Sequence, residues 1–438
     1  ALFSFRLGNE FRFGLKPNPE GPRELLSPPP AIAIDPPSLV DGQAEITLTL
    51  GHAAPESIRL YHNGIPVRSG LEDFEVMSQD PTRVHTRVQL IQGANRFYAM
   101  ASSPGDASSV DGRSRDIALA YTESRPSRLH VVALGVGEYN RQKLQYAVAD
   151  ARSLSEYLRD HGLSEAAAQV APNVVDRQSY IKVLSDTDVN IGNLDQTFRE
   201  LKQTTSGHPE DTVVVFLAGH TDVYKNHFCL LRSTFPFDES APIQVAQRGE
   251  AIWPVDPRKR AEAEKHLMPY SSIAGRLATI DPLQRLVIVD ACQAEAIFND
   301  VSVRRLEEHF TRDSQQAKTS YILASRSGEP AGESSVLKHG LLTYTLLRGM
   351  RDMDLPQPES VRPIYQEFPS ADEDGDQTIT ATELRQYARE TLPPLALLLT
   401  NSGASRGQRG APAARLKSDT MRTRYSDASF PVLRIPGP

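Results

Sequence analysis

Four short apolar runs constrain this chain more than any other feature: LHVVALGV (129–136), TVVVFLAG (212–219), LVIVDA (286–291) and SYILAS (320–325). Each is largely apolar and lacks polar alternation, so each reads as a strand buried on both faces. Helical spacing lies between them. Leu144, Val148, Ala151, Leu154 and Leu158 recur at helical intervals, with Gly162 where a helix would stop, and NLDQTFRELKQ and HGLLTYTLLRGM carry helical patterns too. Strands alternating with helices predict a mainly parallel sheet covered on both faces, a three-layer α/β/α sandwich. Right-handed crossovers then gather the C-terminal strand ends on one edge, where open α/β folds place their sites.

Two of those ends carry reactive groups. TVVVFLAG runs into His220, and LVIVDA runs through Asp290 into Cys292. On neighbouring strands, about 5 Å apart, imidazole and thiol meet across the edge. A free thiol, with a pKa near 8.5, is mostly protonated at neutral pH. A nearby histidine takes its proton as attack begins and later protonates a leaving amine. Backbone N–H groups at Thr221 and Cys292 are the candidates for an oxyanion cradle. Bland readings compete at this level: a lone buried cysteine is usually a small hydrophobe, and a strand-end histidine is usually hydrogen-bonded structure. Cys229, in HFCLLR, has no evident partner and reads as packing. GVGEYN (135–140) lacks the third glycine of a dinucleotide fingerprint and reads as a strand-to-loop turn.

Upstream the pattern differs. Residues 1–30 end in Pro28-Pro29-Pro30 and read as a lead-in or linker. Over 31–122, AEITLTL and RVHTRVQL alternate apolar and polar, GANRFYAMAS supplies a further strand, and Asn63-Gly64 separates two strand-like runs. These signals predict a small all-β sandwich. It is similar to the immunoglobulin-like modules that accompany bacterial enzymes, which implies a structural or protein-contact role. Residues 401–415 are rich in Gly, Ala, Ser and Arg and read as a flexible loop, and SFPVLRI (429–435) as a last strand.

The net charge of −7 gives no reason to expect nucleic-acid or anionic-membrane binding. No apolar run approaches the roughly 20 residues of a membrane span. Two cysteines cannot build a disulfide framework, which points to a reducing compartment and a cytoplasmic location. The chain starts at Ala1 without methionine or a signal-peptide pattern, as a piece of a longer protein would.

From about 128 to 435 the chain resembles the caspase-like cysteine peptidases, above all their metacaspase and bacterial (orthocaspase-like) branches. The resemblance is carried, in the family's order, by LHVVALGVGEYN, LQYAVADARSLSEYL, VVVFLAGH, LVIVDAC, SYILASRSGEPAGE and HGLLTYTLLRGM. It implies a caspase-like α/β fold with a large-subunit-like part (128–298), an intersubunit loop (299–318) and a small-subunit-like part (319–435). It implies His220 as base and Cys292 as nucleophile of an endopeptidase that needs no cofactor for its chemistry. Caspases proper have Gln-Ala-Cys at the nucleophile and cut after aspartate. Metacaspases have an acid two residues before the cysteine and a second on the helix after the first strand. The matching positions here are Asp290 and Asp150, which implies protein or peptide substrates with Arg, or Lys, before the scissile bond. Three features depart from the family: Thr221 and Glu295 where glycine is usual, and a His-to-Cys spacing longer than the roughly 50 residues of caspases, which the loop at 233–270 absorbs. An inactive caspase-like scaffold is therefore the alternative.

A second acidic set lies in DEDGDQTITATE. Asp372, Asp374, Asp376, Thr378 and Glu383 occupy positions 1, 3, 5, 7 and 12 of a calcium-loop pattern. Position 6 is Gln377 where the loop normally has glycine, and RPIYQEFPSA is a poor entering helix. Calcium binding and an acidic turn capping TATELRQYARETL, through Thr380 or Thr382, both stay open. Lys259-Arg260 and Arg304-Arg305 fall in expected exposed loops and are candidate self-cleavage sites.

Overall fold

The computed structural model describes residues 30–53, 55–63, 65–102, 112–123, 127–161, 179–238, 253–254, 256–292, 294–300, 318–325, 331–401 and 430–434. Its N-terminal part is two antiparallel sheets. The first joins β1 (Ala31–Ile34), β2 (Ser38–Val40), β3 (Gln43–Gly51), β6 (Glu75–Val76) and β7 (Arg83–Gln89). The second joins β4 (Arg59–His62), β5 (Ile65–Ser69), β8 (Gly93–Ala101), β9 (Gly112–Arg113) and β10 (Ile117–Tyr121). The alternation in the sequence sets the packing. Ala44, Ile46, Leu48 and Leu50 of β3 point inward and meet Leu60 and Phe97 of the other sheet in one core. Asn63 takes the left-handed φ of 49° that a tight hairpin between β4 and β5 needs; Gly64 lies outside the described residues.

The four apolar runs lie in a five-stranded, all-parallel sheet. Its order is β12 (Ile181–Ser185), β11 (Leu129–Gly135), β13 (Thr212–Gly219), β17 (Gln284–Ala291) and β18 (Lys318–Leu323). Every residue of β11 and β13 is buried because helices cover both faces. On one face Val131, Val214, Phe216 and Ile288 pack against α1 (Ala147–His161), α5 (Leu341–Gly349), α6 (Arg362–Glu367) and α7 (Ala381–Asn401). On the other, Val132, Val215, Leu217 and Val289 meet α2 (Ile191–Thr205), α4 (Tyr270–Leu277) and the hairpin β14 (Thr221–Tyr224)–β15 (His227–Leu231). Alternate residues of each strand thus serve two cores.

Several expectations need correction. The helical stripe begins at Ala147, so Leu144 precedes α1, and Gly162 lies outside the described residues. The segment 233–270 is not simply a loop: it holds α3 (Pro257–Glu264) and β16 (Leu267–Pro269), and α4 begins at Tyr270. Asp256 caps α3, accepting from the N–H groups of Arg258 and Lys259 at 2.7 and 3.2 Å. Lys259 and Arg260 are therefore helical, with the backbone tied up in helix hydrogen bonds, and not in an open loop. Arg304-Arg305 and residues 402–415 lie outside the described residues. The expected last strand is present as β22 (Pro431–Arg434), which joins β21 (Thr378–Thr380) in a two-stranded ribbon. No helix among the described residues is long and apolar enough to cross a membrane.

Candidate active site

β13 and β17 are in register, with Ala218 opposite Asp290 and Gly219 opposite Ala291. The next residues of one strand end, and the second after Asp290 on the other, are His220 and Cys292. Thr221 Oγ1 donates a hydrogen bond to the Cys292 carbonyl and ties the two ends together.

The imidazole is held from three sides. Its backbone N–H donates to the Tyr139 hydroxyl at 3.0 Å, and that hydroxyl donates to Leu231 O at 3.0 Å. Its backbone carbonyl accepts from Leu231 N–H at 2.8 Å. Its ring packs on Tyr139 and Phe237, with centroids 4.8 and 5.7 Å away. Nε2 lies 2.6 Å from the Gln142 carbonyl, which only accepts, so Nε2 carries the proton and Nδ1 is the basic nitrogen. Gln142 adopts a left-handed φ of 62°. Burial lowers the His220 pKa and outweighs this hydrogen bond, leaving a neutral imidazole.

Cys292 Sγ accepts the Ala331 N–H at 3.3 Å. Burial raises the thiol pKa, the Ala331 N–H opposes that, and the nearby Asp290 carboxylate adds to it. Burial thus disfavours the charged form of both the thiol and the imidazole. Cys229 is buried in β15 and its thiol is pushed up to about 12 by burial, as its packing role predicts.

The two aspartates converge on Gly340. A methyl group added there would lie 2.5 Å from Asp290 Oδ2 and 2.9 Å from Asp150 Oδ2, a spacing only glycine allows. Asp150, in the first turn of α1, is 2 % exposed and Asp290 is 8 % exposed. Asp150 Oδ1 pairs with His339 Nδ1 at 2.6 Å, and its Oδ2 accepts Gly340 N–H at 2.9 Å. Asp290 Oδ2 accepts the Thr343 N–H and hydroxyl at 3.1 and 2.6 Å, at the N-terminus of α5. Burial, then the charge of Asp150, raises Asp290 to about 7. Burial also raises Asp150, against the lowering pull of His339. Glu333 accepts from the N–H groups of Gln145 and Tyr146, both at 3.0 Å, ahead of α1.

A family model described as Caspase domain matches residues 128–388, more than half of the chain. The chain belongs to the caspase family. A comparison with curated proteins finds no match. The matched stretch of the caspase domain contains all five strands of the parallel sheet and every residue of the site just described.

Sequence reasoning assigned no role to His339, Thr343, Tyr139 or Gln142. The HG pair opening HGLLTYTLLRGM was the available signal for His339, since a polar residue before a buried helix needs a partner. No signal marks Gln142, which contributes only its carbonyl.

In the acidic loop of the caspase domain, carboxylate oxygens of Asp372, Asp374 and Asp376 lie within 4.8 Å of one another. Asp372 Oδ1 is buried without a hydrogen-bond partner. Gln377 adopts φ 68°, the left-handed turn that glycine usually supplies at position 6. Thr378 opens β21, donating its N–H to Asp376 Oδ1 at 2.7 Å. Glu383 forms a capping box with Thr380: Oε2 accepts the Thr380 N–H at 2.8 Å, and Thr380 Oγ1 accepts the Glu383 N–H at 3.2 Å. Glu383 Oε1 also accepts the Glu373 N–H at 3.2 Å. The helix cap is thus formed by Thr380. The unpartnered oxygen and the hard carboxylate donors also fit a calcium ion.

Proposed function

We propose that this chain is a cysteine endopeptidase that cleaves after arginine, and also lysine. The observation that carries the reading is the register of β13 and β17, from which His220 and Cys292 leave side by side. His220 Nδ1 takes the thiol proton as Cys292 Sγ attacks the substrate carbonyl carbon. The N–H groups of Thr221 and Cys292 receive the oxyanion. His220 then gives the proton to the leaving amine, the C–N bond breaks, and a thioester remains. Water, deprotonated by His220, attacks that thioester and releases the acid and the thiol. Asp150 and Asp290 select the basic side chain, which two carboxylates in a shielded site favour over any neutral or acidic one.

Calcium is the ion that Asp372, Asp374, Asp376, Thr378 and Glu383 would hold, supplying loop rigidity and no chemistry to the bond-breaking step. The organisation that goes with this reading is a β-sandwich over 31–122 that meets a protein partner and a peptidase over 128–435. Self-cleavage within 299–318 would divide the peptidase into 128–298 and 319–435. Two cysteines without a disulfide suit a reducing, cytoplasmic setting.

Fluorogenic peptides ending in Arg, Lys or Asp test the assignment. The expected result is turnover of Arg and Lys peptides, refusal of Asp peptides, and loss of turnover in Cys292→Ala. No turnover in the full chain, with or without calcium, leaves a caspase-like scaffold as the function.

A further inference from the structure

Of the two acids Asp150 is the one shut away from solvent, and one of its oxygens is held by a histidine. Both oxygens of Asp150 already accept a hydrogen bond: one meets His339 Nδ1 at 2.6 Å and the other Gly340 N–H at 2.9 Å. With Asp150 only 2 % exposed, an arginine side chain cannot reach it while the imidazole stays in place. Asp290 differs. Its Oδ2 is occupied by Thr343, but among the described residues its Oδ1 accepts no hydrogen bond and is not sealed from solvent.

His339 sits on the two-residue strand β20 (His339–Gly340), opposite β19 (Glu333–Ser334), with Ser334 as its register partner. Its side chain is itself only 11 % exposed, so leaving Asp150 means a change of rotamer towards the pocket mouth. The carboxylate that it holds, Asp150 on α1, lies near two further acids, Asp290 at the end of β17 and Glu333 on β19, and burial and the Asp150 charge hold both of these above their ordinary pKa. A guanidinium is always charged and presents five donors in a planar fork; an imidazole presents one or two. In a site lined by two facing carboxylates the guanidinium is the better partner and displaces the imidazole.

We propose that His339 is a specificity-determining latch: it holds Asp150 while the pocket is empty and yields that carboxylate to an entering basic side chain. This rests on the arginine- and lysine-directed reading above. The latch imposes a binding cost that only a residue able to replace its hydrogen bond can offset, so short or neutral side chains leave it shut.

The test uses the full chain carrying Cys292→Ala, so that nothing turns over, and benzamidine as the probe of the acid pair, followed by calorimetry. Adding His339→Ala is expected to tighten benzamidine about tenfold. His339→Ser, whose hydroxyl spares Asp150 part of the cost of losing its partner, is expected to tighten it by a smaller factor and covers the case in which the alanine variant does not fold. His339→Asn retains an N–H donor and is expected to bind as the parent does. Equal or weaker binding in folded His339→Ala or His339→Ser overturns the latch while leaving the acid pocket intact. Failure of benzamidine to bind any variant overturns the pocket reading, and the latch with it.

Discussion

Burial pushes the Cys292 thiol up and the His220 imidazole down, so on the proposed mechanism the proton is expected to cross during attack and not before it. The acid limb of kcat then falls below 6.5, the ordinary value of a free imidazole. Asp290 adds a second, separable limb. Held near 7, it is neutral below that pH and pairs poorly with a cation. Hence kcat/KM for Arg peptides is expected to rise through about pH 7, mainly through KM, and Asp290→Asn removes that limb together with most Arg turnover. The sign for stability is opposite. The folded chain binds the Asp290 proton more tightly than the unfolded chain, whose value is near 3.8, so stability contributed at low pH is lost as pH rises towards 7. Asp290→Asn is therefore expected to raise the melting temperature at pH 8 and to leave it nearly unchanged at pH 4. A lower melting temperature at pH 8 contradicts the buried, raised carboxylate. Of this site, the thiol, the imidazole and Asp290 were legible as residue types at strand ends, whereas Asp150, in the first turn of α1, was reached only through the family resemblance. The groups that hold them were not, because Gln142 acts through a carbonyl every residue has and His339 meets Asp150 across 189 positions of chain.

At the level of elements, four of the five parallel strands were legible because each run is largely apolar and short; the edge strand β12, IKVLS, is half-buried and carries Lys182, and it was not. Strand partners were less so: an apolar SFPVLRI says that a strand is buried but not against what, and β22 pairs with β21 of the acidic loop. The start of α1 was likewise hidden, since Glu333 meets the N–H groups before it from 187 positions away. The acidic loop holds a helix cap, Thr380 and Glu383 on α7, beside three aspartates whose oxygens lie close together. Like charges so close are costly without a counter-ion, and Asp372 Oδ1 lacks a partner. Millimolar calcium is therefore expected to raise the melting temperature by several degrees, reversibly with chelator, and Asp372→Asn to abolish the shift. An unchanged melting temperature on calcium addition leaves the loop as a helix cap alone.

Across the whole molecule, the parts on either side of residues 301–317 are joined by far more than chain continuity. β18 pairs with β17 from Gln284↔Lys318 to Val289↔Leu323, and α5 and α7 share one core with α1 and the sheet. A nick between 301 and 317 is therefore expected to leave both pieces in one particle, co-eluting on size exclusion at the position of the intact chain. Separation of the pieces under native conditions contradicts that core.

Labelling with a peptidyl-arginine chloromethyl ketone, read by peptide mass mapping, brings nucleophile, base and acid pocket together in one measurement. The account predicts one equivalent of label on Cys292, none on Cys229, strong slowing in His220→Ala and Asp290→Asn, and no reaction with the aspartyl analogue. Labelling of Cys229 instead, or equal labelling of Cys292 by the arginyl and aspartyl reagents, contradicts it.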